Sequence, residues 1–290
     1  MSLSDSERIA RLNRAIGCYV GLFIGDALGT PVEFKERDEY EPVTNMRGGG
    51  AFRLQPGEWT DDGSMAFALA ESLIEYDALE PSDVLDRWLR WHDDGDYSVT
   101  GKCFDIGKTT WLALTHYREN NNALTCGQDG TFAAGNGSIM RNAPIVLKFL
   151  EEPEYAQEMA ALQSRLTHAH TECIAGCKNL TDICIKAING APKEELFDCN
   201  KLRALDRSVI SSSGYVLHTL MAAKWAVAKT DNFHDALLLA VNLGDDADTV
   251  GAVTGQIAGA LYGYGSIPHD WLNVLAWKDQ ITTQAQKLLG

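Results

Sequence analysis

Apolar residues recur every three or four positions through almost the whole chain, while runs that alternate apolar and polar side chains are scarce. A three-to-four spacing gathers the apolar side chains onto one face of a helix. Helices are accordingly predicted over residues 11–28, 64–76, 82–92, 108–118, 139–150, 155–166, 172–189, 214–229, 233–243 and 250–262. Residues 43–54 break the pattern, and Gly48-Gly49-Gly50 within them indicates an irregular loop with at most a small strand. No repeat of fixed period is present, and no Pro/Gly/Ser-rich linker divides the chain. The expected architecture is all-α, a single domain over residues 1–290 with functional loops between its helices.

Two of these helices carry glycine at every fourth position, Gly17, Gly21, Gly25 and Gly29 in the first and Gly251, Gly255, Gly259 and Gly263 in the last. Each interior glycine costs about 1 kcal/mol of helix propensity relative to alanine, so something must offset the series. A row at i, i+4, i+8 is a stripe without side chains, along which another backbone can approach closely. Packing against two unrelated neighbours would explain the stripes. So would a crossing of the two helices at the centre of the domain, which would carry Asp26 and Glu33 toward Asp246 and Asp248. Membrane pairing through glycine stripes fits poorly, because both segments are short and close to charged residues.

With 45% hydrophobic and 22% charged residues, the 290-residue chain has enough apolar content for a sizeable core. Its formal net charge of −15 and pI near 4.8 change the functional picture. Such a surface repels nucleic acid and anionic membrane, so neither is an expected partner, and a phosphate-bearing ligand needs a local exception. No uninterrupted apolar stretch of about 20 residues is present, which argues against a membrane span. Residues 1–14 are polar and lack the apolar region of a signal peptide. Seven cysteines, an odd number, fit free thiols in a reducing cytosol better than a disulfide framework. The expected location is cytoplasmic and the default state a monomer.

The chemistry concentrates in two distant acidic clusters, Trp59-Thr60-Asp61-Asp62-Gly63 and Gly244-Asp245-Asp246-Ala247-Asp248-Thr249. Each joins close carboxylates to a threonine and runs into an Ala/Gly-rich helix. One Asp or Thr before a helix is an ordinary N-cap, but two aspartates and a threonine exceed what capping needs. If the fold unites the clusters, four or more carboxylates share one small volume, and their repulsion demands neutralisation. Two divalent cations would supply it. The donors are all hard oxygens, which suits Mg²⁺, Mn²⁺ or Ca²⁺ and disfavours zinc or iron–sulfur. Asp245 is the odd member, a solvated neighbour or an outer group rather than an assigned ligand.

Other segments are weaker alone. Glu33 follows the first glycine helix beyond Pro31 and is either a surface loop glutamate or an acid/base candidate. Gly135-Asn136-Gly137-Ser138 opens a predicted helix and suits a phosphate or a ribose hydroxyl, although a turn with an N-cap explains it equally. Arg141 fits a phosphate contact or a buried fork to a carboxylate. His168 and His170 precede Cys173 and Cys177, but the spacing matches no closed zinc set, and small core residues explain the cysteines better. There is no GxSxG elbow, no Walker loop and no dinucleotide-fold fingerprint.

Taken together, Gly25-Asp26-Ala27-Leu28-Gly29 with Glu33, Trp59-Thr60-Asp61-Asp62, Gly135-Asn136-Gly137-Ser138 with Met140-Arg141, and Gly244 to Gly251 resemble the ADP-ribosylglycohydrolase family, and in particular its bacterial dinitrogenase reductase-activating members. The match covers nearly the whole chain, in the family's order and spacing. The resemblance implies a compact orthogonal multi-helix bundle with two Mg²⁺ or Mn²⁺ ions in a central cleft. It implies hydrolysis of the glycosidic bond between ADP-ribose and a protein side chain, most often arginine, with an ADP-ribosylated protein as partner and ADP-ribose as product. By the same resemblance Thr60, Asp61, Asp62, Asp246, Asp248 and Thr249 are metal ligands, and Glu33 is the catalytic or metal-proximal glutamate. Asp105, in Cys103-Phe104-Asp105-Ile106-Gly107, becomes a candidate base or ribose-binding group. Asn136, Gly137 and Ser138 would contact ribose and diphosphate, His168 would lie near the cleft, and Tyr215 would stack on ADP-ribose. The family commonly has glycine where this chain has Asp245, which adds charge near the metals.

Glu33 and Asp105 remain alternatives for handling the proton. Two other functions stay open from the residues: a non-catalytic ADP-ribose-binding or structural member of the same fold, and a binuclear nucleotide phosphohydrolase. The filled ligand positions argue against the first, and the lack of histidine in either acidic cluster argues against the second.

Overall fold

A computed structural model describes residues 4–290. In chain order its helices are α1 (Asp5–Gly29), α2 (Asp61–Tyr76), α3 (Pro81–Asp94), α4 (Lys108–Asn120), α5 (Ala143–Lys148), α6 (Pro153–Arg165), α7 (Thr171–Ile188), α8 (Lys193–Leu196), α9 (Cys199–Ala204), α10 (Val216–Lys229), α11 (Phe233–Val241), α12 (Ala247–Tyr262), α13 (His269–Val274) and α14 (Lys278–Leu288). Among the described residues there is no strand, only isolated bridges such as Gly49 with Leu54, inside the glycine loop where a small strand was allowed. The fold is all-α, as the periodicity predicts.

The centre of the molecule is the antiparallel pair α1 and α12. A methyl group added at Gly25 would lie 2.0 Å from the carbonyl oxygen of Gly251, and one added at Gly251 would lie 2.3 Å from that of Gly25. Gly21 meets Gly255 and Gly17 meets Gly259 in the same way. The two stripes therefore face each other, and the expected crossing at the centre is found. Gly263 departs from the series: it ends α12 with φ 83°, a left-handed conformation that glycine adopts without strain.

From Ala15 to Gly29 every residue of α1 is buried. By length and apolar content α1 would be able to cross a membrane, contrary to what the lack of an uninterrupted apolar run suggested, but the whole of its apolar window is covered by protein. A helix that is apolar all round is one that neighbours surround on every side. The capping box of Ser4 and Glu7 starts it, with the Ser4 N–H donating to the Glu7 carboxylate at 2.7 Å.

Two differences from the predicted elements have physical causes. The helix expected over 139–150 begins only at Ala143. Pro144 has no N–H to offer the carbonyl of Met140, and Nε2 of Gln256 on α12 donates to it instead at 2.8 Å. The second difference is α14, which the apolar pattern left unassigned. Its surface is rich in Gln, Thr and Lys, yet Ile281, Ala285 and Leu288 are buried, and the Tyr19 hydroxyl donates to Gln284 at 2.7 Å.

Candidate active site

The crossing of α1 and α12 sets the N-terminus of α12 beside the C-terminus of α1. The N-terminus of α2 is brought to the same place by Asp26, in the last turn of α1. The Asp26 carboxylate accepts the Thr60 N–H at 2.9 Å, the Thr60 hydroxyl at 3.1 Å and the Gly63 N–H at 2.9 Å. It therefore caps α2 from another helix, a task that Thr60, the residue at the cap position, does not perform with its own side chain. A carboxylate at a helix C-terminus opposes the dipole of its own helix, but here it meets the positive end of α2. Burial nevertheless pushes its pKa up to about 7. Asp26 is a site residue that the motif reading did not assign. The signal for it was an aspartate inside an otherwise apolar glycine helix.

With capping done by Asp26, Asp61 and Asp62 are free for other work. Asp61 lines a cavity of about 270 Å³, together with Glu33, Asp105, Asp246, Asp248 and Thr249. Thr60 and Asp62 stand just behind its wall: the Thr60 hydroxyl lies 3.4 Å from Asp248, and the Thr249 hydroxyl donates to Asp62 at 3.2 Å. Both acidic clusters thus share one volume although Thr60 and Asp248 are 188 positions apart.

A pair of backbone hydrogen bonds fixes the loop carrying Glu33. The Phe34 N–H donates to the Asp245 carbonyl and the Asp245 N–H donates to the Lys35 carbonyl, both at 2.8 Å. Phe34, Asp105 and Asp245 all hold φ near +60°, a region costly for residues other than glycine. The side chain of Asp245 is exposed and lines a neighbouring cavity, away from the carboxylate cluster.

Carboxylate oxygens of Glu33, Asp105 and Asp248 lie within 4.8 Å of one another. Among the described residues, no basic side chain pairs with them. Burial, and then the neighbouring carboxylates, push Glu33 up to about 11 and Asp105 up to about 10, and hold Asp61, Asp62 and Asp248 well above the ordinary range. Among the described residues, buried oxygens of Glu33 (Oε2), Asp62 (Oδ2) and Asp248 (Oδ1) have no hydrogen-bond partner. Orphaned hard acceptors in a like-charged pocket are the donor set that divalent cations complete, so these residues fit such ions.

The opposite wall is the loop 135–137 with His168. Asn136 donates through Nδ2 to Asp246 at 3.0 Å and to the Thr219 hydroxyl at 2.9 Å, which ties this loop to the acidic side. Gly137 and His168 line the cavity, as do Lys108 and Thr110 at the start of α4. Lys108 is a local positive charge that no motif had singled out.

Two predicted ligand contacts are placed elsewhere. Ser138 does not line the cavity; its hydroxyl is buried and accepts from Ser164 at 2.9 Å. Tyr215 stands at the rim, where its backbone pairs with Gly135 and its ring lies edge-on to His218. Arg141 lies outside the cavity lining and, among the described residues, forks to no carboxylate. It is fully buried, 4.0 Å over the ring of Trp88, and donates to Gln163 and Thr167. Cys173 and Cys177 bond the Gly135 carbonyl and the Ser138 hydroxyl, as core residues under the loop.

Comparison with known proteins places this geometry. The profile of the ADP-ribosylglycohydrolase family matches residues 7–290. The ADP-ribosylarginine hydrolase Tri1 of Serratia proteamaculans is 45% identical over 96% of this chain and 79% of its own length. The ADP-ribosyl-[dinitrogen reductase] glycohydrolase of Rhodospirillum rubrum is 33% identical over 96% of both chains. A solved structure described as an ADP-ribosylglycohydrolase-related protein complex superposes with a TM-score of 0.83, at 38% identity, over 97% of this chain and 98% of its own.

Proposed function

This chain belongs to the ADP-ribosylglycohydrolase family, and from that premise we propose that it hydrolyses the bond between ADP-ribose and an arginine side chain of a modified protein. The observation that carries the proposal is the convergence of Glu33, Asp61, Asp105, Asp246, Asp248 and Thr249 on one cavity. The arginine linkage is favoured because the Serratia relative, and a second at 41% identity from Pseudomonas putida, are named ADP-ribosylarginine hydrolases.

Two divalent cations, Mg²⁺ or Mn²⁺, are the proposed cofactors, held by Thr60, Asp61, Asp62, Asp246, Asp248 and Thr249. When bound, they would supply charge neutralisation, anchorage for vicinal ribose hydroxyls and a more acidic water. The chain's own residues supply the rest. Gly137 and His168 bind ribose and diphosphate oxygens, Asn136 accepts a ribose hydroxyl through its Oδ1, Lys108 offsets phosphate charge, and Tyr215 covers the ligand. As the bond to the guanidine breaks, the anomeric carbon gains positive character that the ionised carboxylates of the cluster stabilise. Glu33 and Asp105 are the two carboxyls that handle protons, one to the departing nitrogen and one from the attacking water. The chain is proposed to act as a single cytoplasmic domain.

The test is product analysis with the purified chain on arginine- and serine-linked ADP-ribosyl proteins, with Mg²⁺, Mn²⁺ or chelator. Release of free ADP-ribose from the arginine-linked protein, abolished by chelator, is expected. Inorganic phosphate with a nucleotide, or no product under any metal, would overturn the proposal.

A further inference from the structure

We infer that Arg141 and Thr167 are positioning residues that fix the tautomer of His168, so that its Nε2–H faces the cavity and bonds an acceptor oxygen of the ADP-ribosyl ligand. The chain of contacts is short and buried. Nη2 of Arg141 donates to Oγ1 of Thr167 at 2.7 Å, and the same oxygen lies 2.8 Å from Nδ1 of His168. Thr167 and Arg141 are both fully buried and His168 nearly so.

A guanidinium has only donors, so the Thr167 oxygen must accept from Arg141. Its hydroxyl hydrogen then needs an acceptor, and among the described residues Nδ1 of His168 is the one within reach. If Nδ1 carried the proton instead, the threonine hydrogen would be left unpaired in the interior, at the desolvation cost of a buried donor. Donation by a cation also polarises the hydroxyl and strengthens its own donation. The accepting Nδ1 forces the ring proton onto Nε2, which takes no protein partner among the described residues while His168 lines the cavity.

The imidazole stays neutral. Burial first, and then the Arg141 charge, pull its pKa down to about 3. His168 is therefore a standing donor and not a proton shuttle. That matters because most charged groups facing this cavity are carboxylates, which when ionised repel a diphosphate. Asn136 Nδ2 already serves Asp246 and Thr219, so Nε2–H of His168 is a scarce donor for a ligand oxygen. The inference rests on the proposed ADP-ribosyl substrate for the identity of that oxygen, and not for the tautomer.

The test uses the full chain, uniformly ¹⁵N-labelled, with the His168 side-chain signals assigned by their loss in His168→Gln. At pH 7, in Mg²⁺, long-range ¹H–¹⁵N correlations should show Nε2 protonated and Nδ1 bare in the wild type and in Thr167→Ser. Thr167→Val should lose that pattern and bind ADP-ribose about fivefold more weakly, the effect of one hydrogen bond, with Thr167→Ser restoring both. A protonated Nδ1 in the wild type, or wild-type tautomer and affinity in Thr167→Val, would overturn the inference. Should Thr167→Val fail to fold, the wild-type and Thr167→Ser spectra decide the tautomer. A wild-type protein with the Nε2–H tautomer but no ADP-ribose binding would overturn the ligand, and with it the proposed function, while leaving the positioning relay standing.

Discussion

Asp26 and Thr60, 34 positions apart, are joined twice: the Asp26 carboxylate accepts both the backbone N–H and the hydroxyl of Thr60. This cross-helix cap holds the first acidic cluster against the central helix. Asp26→Ala leaves the amides of Thr60 and Gly63 unpaired in the interior, at a cost of about 1–3 kcal/mol each. Urea denaturation should show a loss of at least that size, with turnover falling further because Asp61 and Asp62 lose their placement. Unchanged stability in Asp26→Ala would show that α2 is capped by other means.

The protonated state of the cluster predicts a pH effect that metal reverses. Asp26, Asp105 and Glu33 have pKa values of about 7, 10 and 11 in the fold, far above the ordinary carboxylate value of about 4 that they regain on unfolding. Raised carboxyls favour the fold at low pH. Their stabilisation is complete below the unfolded pKa and is lost progressively as pH rises through the folded values. Metal-free protein should accordingly melt at lower temperature at pH 8 than at pH 5. Mg²⁺ or Mn²⁺ should raise Tm more at pH 8, since ionised ligands bind cations and protonated ones do not. Calorimetry with and without chelator checks both signs.

The seam between α1 and α12 has no room for a methyl group. A Cβ at Gly255 would lie 1.9 Å from the carbonyl oxygen of Gly21. Gly255→Ala should cost more than about 3 kcal/mol, because backbone cannot step aside as a side chain can. Gly130→Ala, where nothing lies within 4 Å of the added atom, is the control and should be near neutral by the same denaturation measurement.

Glu33→Gln should fold, bind cations nearly as well as the wild type and turn over at least about 100-fold more slowly, the usual scale for a lost acid/base group. Asp248→Ala should instead lose metal binding itself, since its carboxylate sits within 4.8 Å of both Glu33 and Asp105. Isothermal titration with Mn²⁺ beside a turnover assay separates the two effects. Wild-type rates in Glu33→Gln would remove that residue from the chemistry.

Asp245 offers a contrast, because its charge faces the neighbouring cavity. Asp245→Gly keeps the φ of 60° that the turn requires and should leave Mn²⁺ affinity within about twofold, as expected for a solvated charge. A larger change would mean that Asp245 reaches the cations after all.

Much of this arrangement was legible in the chain. The glycine stripes called for close backbone contact, which two unrelated neighbours or a mutual crossing would both supply, and the structure shows the crossing. The acidic clusters announced their union, because isolated they exceed what capping needs. What escaped depends on partners distant in sequence. The role of Asp26 requires knowing that α2 starts beside the end of α1, and the late start of α5 depends on Gln256 reaching from α12. Ser138 reads as a ligand contact because it closes a glycine-bearing loop, but its hydroxyl is held by Ser164 on α6, a partner distant from the motif. Asp245 belonged to an acidic run by position and left it by backbone conformation. The polar surface of α14 masked three buried apolar residues at positions 281, 285 and 288.

The pairing of an early helix with a late one also dictates when this protein can first work. While the ribosome is still making the middle of the chain, α1 is an apolar rod whose glycine face has nothing to rest on, and the carboxylates of Asp246 and Asp248 do not yet exist. Synthesis must pass α12 before the nascent polypeptide can close around them. Until then the uncovered helix is the kind of apolar surface that promotes aggregation. A transcript broken anywhere upstream of Asp246 yields no weakened enzyme, only a chain with an uncovered core helix.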